Sequence, residues 1–467
     1  MLKVNLSIKD LISLNPVLVN KENNEKIKTL QTDSREVKKG DWFICLRGEN
    51  TDGHKYISQA LKNGASGIIY EKTPSNINPE GLVVNNCNLF LGEMARIKRD
   101  QINPFVLAIT GSAGKSSTKE IAAFFLEHIF SKREVLKTSG NYNNQFGVPY
   151  TLLSLKPSHK FAIIEMGTNH PGEIKQLSLW AKPDISIITS ISEGHIEFFN
   201  SVEDIADEKS DIICGMKKNG FLAVPNKINC LKIIEKKMLT KKIKIKKINK
   251  LSDEVKLIEI SSLGTKFSYK NNEFLFPIAG EFQFYNFLLI WRVLKICFNN
   301  NDKFNQGLKK VLDNLSGLKI MQGRLQIVKH KKYNIWDDTY NANEASYEAA
   351  FQFISNIKKN NNSAGAFGSM AELGKKSEKA HEKLGKMAFK YGFSKVFFSY
   401  KIKKEGNAFY RGWISSGGKK SDICILSNND LDIKSGVSFV KEGLKKEDHF
   451  LVKGSRSLKM ERVFNYF

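Results

Sequence analysis

The order of apolar and polar positions divides the chain into two kinds of stretch. Short apolar runs at 105–110, 161–165 and 185–189 read as strands buried on both faces. The stretches 117–130 and 202–214 between and after them read as helices. Apolar strands alternating with helices predict a mainly parallel sheet covered on both sides. Ahead of this block, 41–46 and 67–70 read as strands, and 56–63 as a helix that stops at Gly64. Behind it, 333–338, 395–398 and 449–452 read as strands and 345–357 as a helix. Breaks near Asn103-Pro104 and near Leu318 give three α/β domains, 1–103, 104–317 and 318–467.

Charge changes this picture less than it first suggests. The 467 residues carry a formal charge of +25, a balance often met in nucleic-acid binders. Yet only ten of the 73 basic residues are arginine, the side chain whose fork reads phosphates and bases. The lysines are spread along the chain and read as solvated surface. Their densest run, 241–250, alternates in part with isoleucine, as an exposed strand or hairpin would. The six cysteines lie far apart with no C-x-x-C pair, which argues against a zinc site or a disulfide framework. No apolar stretch approaches the ~20 residues that cross a bilayer. The N-terminus lacks the pattern of a secretory signal, so a reducing cytoplasmic setting with no membrane partner is expected.

The chemistry is concentrated after the strand at 105–110. Thr110-Gly111-Ser112-Ala113-Gly114-Lys115-Ser116-Ser117 stands between a strand and a helix, the setting of a phosphate loop. Glycines let the backbone wrap an anion, and the N–H groups of the helix start point at it. Lys115 then reaches the β/γ-phosphates and the Ser116 hydroxyl reaches Mg²⁺. Position 109 is Ile rather than Gly, so this is the short T-G-x-x-G-K-S form. Glu165 ends the strand at 161–165, at the carboxyl edge where α/β sheets bind ligands. His195, in Gly194-His195-Ile196-Glu197, is either a metal ligand or a capping histidine by its own residues. Lys209, in the helix-like 202–214, carries no signal by itself.

The phosphate loop resembles that of the Mur ligases and the related folylpolyglutamate synthases. The resemblance continues through Asn141-Tyr142-Asn143-Asn144-Gln145-Phe146-Gly147, Glu165-Met166-Gly167-Thr168-Asn169 and Gly323-Arg324-Leu325-Gln326. It ends in Asp337-Asp338-Thr339-Tyr340-Asn341-Ala342-Asn343 and Lys453-Gly454-Ser455-Arg456-Ser457. At the N-terminus, Thr32-Asp33-Ser34-Arg35, Gly40-Asp41, Arg47-Gly48 and Asp52-Gly53-His54 resemble the type that extends UDP-N-acetylmuramoyl-tripeptide. The resemblance implies a small UDP-sugar domain, a P-loop ATPase-like centre and a Rossmann-like C-terminal domain.

It implies an ATP-dependent amide ligase that joins D-alanyl-D-alanine to UDP-N-acetylmuramoyl-tripeptide through an acyl phosphate, acting as a monomer. It also implies site roles. ATP would be held by Gly111, Ser112, Ala113, Gly114, Lys115, Ser116, Ser117, Asn144, Asn286, Arg324, Asp338, Tyr340 and Asn341. Ser116, Glu165, His195 and a carbamylated Lys209 would hold two Mg²⁺, with Lys115, Lys209, His195 and Arg324 catalytic. Ser34, Arg35, Arg47 and Arg456 would face the UDP-sugar peptide and the dipeptide. Two stretches depart from the family pattern. Phe282-Gln283 stand where His-Asn is common, with Gln283 still able to bond adenine through a longer side chain, and Ser369 stands where an Asp is expected. A nucleic-acid-binding P-loop ATPase, or a Mur-type ligase with another acceptor, are the alternatives.

Overall fold

The computed structural model describes residues 2–22, 25–72, 77–193, 196–249, 254–319, 322–328 and 330–467. Among the described residues four sheets follow one another in sequence. In the first, Lys26–Gln31, Trp42–Ile44, Gly67–Tyr70 and Gly81–Val83 run parallel, and Leu2–Ser7 and Val17–Val19 close the two edges antiparallel. Asp41 ties this sheet together from inside, accepting from the Thr29 hydroxyl (2.5 Å), the Gln31 amide (3.2 Å) and Lys38 N (3.0 Å).

The second sheet is parallel throughout, in the order Lys244–Ile248, Phe221–Pro225, Ile185–Ile188, Phe105–Thr110, Phe161–Glu165, Val135–Lys137. Successive side chains of a strand point to opposite faces, and here both faces are apolar. Leu107, Ile109, Ile163 and Ile187 pack against the helices Lys115–Ile129 and Glu281–Phe298. Val106, Ala108, Ile164 and Ile188 join a core that runs without interruption into the first sheet. The joint is made by the helix Cys87–Ile102, laid on Gly147–Leu153 and Glu173–Ala181. There Trp180 Nε1 donates to Glu93 Oε1 (3.1 Å), and the buried Arg99 donates to the carbonyls of Ala181 (2.9 Å) and Lys182 (2.8 Å). Gly92 is required at this crossing, because a Cβ there would lie 2.0 Å from the Trp180 ring.

Two pieces were not anticipated from the sequence. Val255–Ser261, Gly264–Tyr269 and Asn272–Phe276 form an antiparallel meander whose Phe267 and Phe276 pack on Phe284, Phe287 and Trp291. The helix carrying those rings, Glu281–Phe298, is apolar around most of its circumference, so no helical stripe is visible. The lysine-rich run yields the edge strand Lys244–Ile248, exposed over most of its length. The last sheet orders Gln326–Val328, Asn334–Asp338, His449–Lys453, Ser363–Gly368, Lys395–Tyr400 and Ile423–Ser427, with only the first strand antiparallel. Among the described residues no helix is long and apolar enough to cross a membrane.

Candidate active site

The phosphate loop leaves the sheet at Thr110, and the helix begins at Lys115, two residues earlier than the pattern predicts. Gly111 (φ 150°) and Gly114 (φ 85°) adopt backbone that other residues rarely take. A Cβ on Gly111 would lie 2.0 Å from Thr189 Oγ1. The loop is pinned to the neighbouring strand end: Ser112 N donates to Ser190 O (2.9 Å) and Ala113 N to Ser190 Oγ (2.9 Å). Lys115 folds back so that Nζ donates to Gly111 O (2.6 Å). Burial pulls its pKa down and nearby Arg324 adds to this, against the opposing charges of Glu165 and Glu372.

Glu165 sits beside this loop, buried. Its Oε1 accepts from Ser116 Oγ (3.0 Å) and Asn143 Nδ2 (2.8 Å). Its Oε2 is buried yet accepts no hydrogen bond among the described residues, and Lys119 Nζ stands 3.7 Å from it. A hydroxyl and a carboxylate with one unused buried oxygen are hard donors of the kind Mg²⁺ takes, so the residues fit that ion. Arg324 approaches from the last sheet's side: Nη2 donates to Ser116 Oγ (3.1 Å), Nε is buried without a partner, and the guanidinium lies 4.2 Å over the Tyr340 ring. The turn carrying it is fixed by Tyr340 N donating to Gly323 O (2.9 Å) and Leu325 N to Asp338 Oδ1 (3.1 Å). Asp338 Oδ2 accepts from the buried Lys453 Nζ (2.6 Å), which also donates to Asn341 O (3.0 Å).

Lys209 is buried on the helix Val202–Ser210. Burial pushes its pKa down to about 7, and the charge of Lys115 works in the same direction. The charge of Glu208 opposes this and is outweighed; its carboxylate accepts from Gly172 N (2.6 Å) and Ile174 N (2.9 Å). His195, with Gly194, lies outside the described residues.

A cleft of about 220 Å³ opens beside the phosphate loop, lined by Ala113, Gly114, Phe282, Tyr285 and Asn286 among others. Gln283 is buried instead of lining it, and its Oε1 finds no partner. Phe282 forms the wall. Asp338, Tyr340 and Asn341 stand with Arg324 at the turn of the last sheet and are not among the residues that line this cleft. Asn144 is exposed and accepts from Gly147 N (2.9 Å) at a helix start, while its neighbour Asn143 reaches Glu165. Asn143 and Lys119 are therefore the site residues that the sequence reading passed over. Lys119 stands four residues after Lys115, on the same helical face, and that spacing was the available signal.

The remaining candidates are spread more widely. Ser34 is buried and donates to Gln59 Oε1 (2.6 Å). Arg35 is exposed and chelates Asp33, holding that carboxyl down at about 2. Arg47 is half-exposed and pairs with Glu71 (2.9 Å), and Arg456 is exposed and pairs with Glu461 (2.9 Å). Ser369 is buried, with Oγ accepting from Lys401 N (3.3 Å).

A phosphate loop on an all-parallel sheet, met by an arginine from a second α/β unit, is the arrangement of an enzyme that works on nucleotide phosphates. The chain belongs to the Mur ligase family: the family's catalytic domain matches residues 26–122, the Mur ligase middle domain 109–293, and the Mur ligase glutamate ligase domain 323–456. Among its relatives is the UDP-N-acetylmuramoyl-tripeptide--D-alanyl-D-alanine ligase of Buchnera aphidicola subsp. Baizongia pistaciae, 34% identical over 94% of this chain and 91% of that protein. The crystal structure of MurF from Acinetobacter baumannii superposes with a TM-score of 0.84 at 25% identity, covering 99% of this chain and 98% of that one. The MurF ligase of Thermotoga maritima in complex with ADP gives 0.78 at 26% identity, over 94% and 97%.

Proposed function

We propose that the chain joins D-alanyl-D-alanine to UDP-N-acetylmuramoyl-tripeptide at the cost of ATP, in cytoplasmic peptidoglycan precursor synthesis. The observation that carries the reading is the meeting of Lys115, Ser116, Glu165 and Arg324, drawn from the central and last sheets, at one phosphate loop. Relatives named for this activity across nearly the full chain support it.

A carboxylate is a poor electrophile, so the tripeptide must first be activated. Its terminal carboxylate attacks the γ-phosphorus of ATP; the bond to the β,γ-bridging oxygen breaks, and ADP leaves. The free amine of the dipeptide then attacks the acyl carbon, loses a proton, and inorganic phosphate departs with the carbon–oxygen bond. Phosphoryl transfer depends on in-line positioning and charge neutralisation more than on covalent help. Lys115 turns from Gly111 O to the β/γ-phosphates. Arg324 offers its free Nε–H to the transferred group while Tyr340 keeps the guanidinium plane in place. The N–H groups at the start of the helix and Ser117 hold the remaining oxygens. Magnesium, held by Ser116 and Glu165, supplies further neutralisation of the phosphates when bound.

Lys209 is the companion ligand for a second ion, as a carbamate. The ammonium first sheds one proton; the neutral amine then attacks CO₂, forming the N–C bond as a C=O π bond opens, and a second proton leaves, so that a buried cation becomes a carboxylate-like anion. Burial beside Lys115 favours that exchange. His195 completes the ligand set on the strength of the family resemblance. Asn286 and the Phe282 wall take the adenine, and Asp338 the ribose. Ser34, Arg35 and Arg47 serve the UDP-sugar end and Arg456 the peptide end, in a monomer of domains 1–103, 104–317 and 318–467. The deciding experiment is ADP release with UDP-N-acetylmuramoyl-tripeptide, with and without D-alanyl-D-alanine. Turnover that needs both supports the assignment; turnover stimulated by DNA or RNA and indifferent to both would overturn it.

A further inference from the structure

Lys119 has no part in the reaction above, yet it is among the most completely buried side chains of the molecule. It lies one helical turn beyond Lys115, and its Nζ donates to Gly140 O (3.2 Å) and pairs with Glu120 Oε1 (3.1 Å). It also stands 3.7 Å from Glu165 Oε2, the oxygen that accepts no hydrogen bond. Gly140 belongs to the loop that delivers Asn143 to Glu165 Oε1 at 2.8 Å, so helix, loop and strand end close a ring around one carboxylate. Glu120 is held in turn by Lys137 at 2.6 Å.

We propose that Lys119 is a positioning residue, the resident counter-ion of Glu165, which keeps the nucleotide-free protein from taking up a divalent cation and reserves Glu165 Oε2 for a cation that arrives with ATP. The inference rests on the reading of Glu165 as a magnesium ligand. A divalent ion on that oxygen shares a water-excluded site with an ammonium, and like charges repel strongly where the dielectric is low. The nucleotide phosphates bring the negative charge that reverses the balance. Lys119 need not leave when that happens, because Gly140 O and Glu120 continue to satisfy it.

The test is titration of the full-length, nucleotide-free protein with Mn²⁺, followed by the EPR signal of free Mn²⁺. Wild type binds weakly. Lys119→Met, which keeps the length and removes the charge, binds at least tenfold more tightly; Lys119→Gln, able to donate to Gly140 O, does the same; Lys119→Arg stays weak. A folded Met or Gln variant with wild-type or weaker Mn²⁺ affinity overturns the proposal. So does a wild-type site that already fills at micromolar Mn²⁺, a measurement that needs no variant. Glu165→Gln abolishes the tightened binding of Lys119→Met in the double variant. Should Mn²⁺ binding ignore Glu165→Gln, the ligand reading falls and takes this proposal with it.

Discussion

Replacing Arg324 by lysine keeps the charge and removes the plane, and so isolates what the geometry contributes. In the protein the guanidinium does three things at once. It donates to Ser116 Oγ at 3.1 Å, rests 4.2 Å over Tyr340, and keeps a buried Nε–H unpaired. A cation about 4 Å from a developing phosphoryl charge is worth roughly 4 kcal/mol at an effective dielectric near 20. That corresponds to about a thousandfold in rate, the loss expected for Arg324→Ala. Lysine recovers part of the charge term but cannot stack and donate in two directions, so Arg324→Lys should lose about a hundredfold. Tyr340→Leu removes only the stacking, ~1 kcal/mol or about fivefold. Combined with Arg324→Ala it should cost nothing further, since the two act as a unit. The assay is steady-state ADP release with both acceptor substrates saturating. Because the contact is assigned to the transition state, the losses should fall on kcat, with KM for ATP changing less than about threefold. Arg324→Lys within threefold of wild-type kcat, or a loss carried wholly by KM, would refute the assignment.

Other outcomes follow from the same geometry. Lys115→Ala should abolish ATP-dependent phosphate release; full retained activity in that variant would remove the loop from the mechanism. Lys209→Ala should be inactive and partly restored by short carboxylic acids, whereas unchanged activity would rule out the carbamate. In CO₂-depleted buffer the folded chain sheds the Lys209 proton near 7, while the unfolded chain keeps it to ~10.5. The unfolded state then binds more protons between those values, so stability should rise with pH across that window, approaching ~1.4 kcal/mol per unit. Melting curves of wild type and Lys209→Met at stepped pH check this, and parallel curves would contradict it. Solution scattering should show compaction when an ATP analogue and the UDP-substrate are both bound; identical profiles would argue against closure of the domains.

How much of this was legible beforehand depended on whether local chemistry or tertiary packing decided a residue's place. The phosphate loop was readable because strand, glycines, lysine and helix are contiguous. The strand at 105–110 was readable as buried, but not the division of its side chains between two cores, since both faces are apolar. The helix Glu281–Phe298 escaped notice for the same reason. Gln283 shows the limit most clearly. Its chemistry suits a base, yet its helical position turns it into the core and leaves Phe282 facing the cleft. Lys119 was one lysine among 63; its place one turn after Lys115 was visible, but its meeting with Glu165 came only with the fold.

The helix Cys87–Ile102 bears on how such enzymes can be recombined. With Trp180 against Gly92 and Arg99 capping the carbonyls of Ala181 and Lys182, the first domain is fused to one side of the central sheet. A cut after Asn103 would strip cover from Gly147–Leu153 and Glu173–Ala181, Trp180 among them, and leave each fragment with a wound rather than a surface. A graft of a foreign UDP-sugar domain should therefore bring along its own counterparts of 147–153 and 173–181, so that the exchange follows the seam of packing and not the seam of the chain.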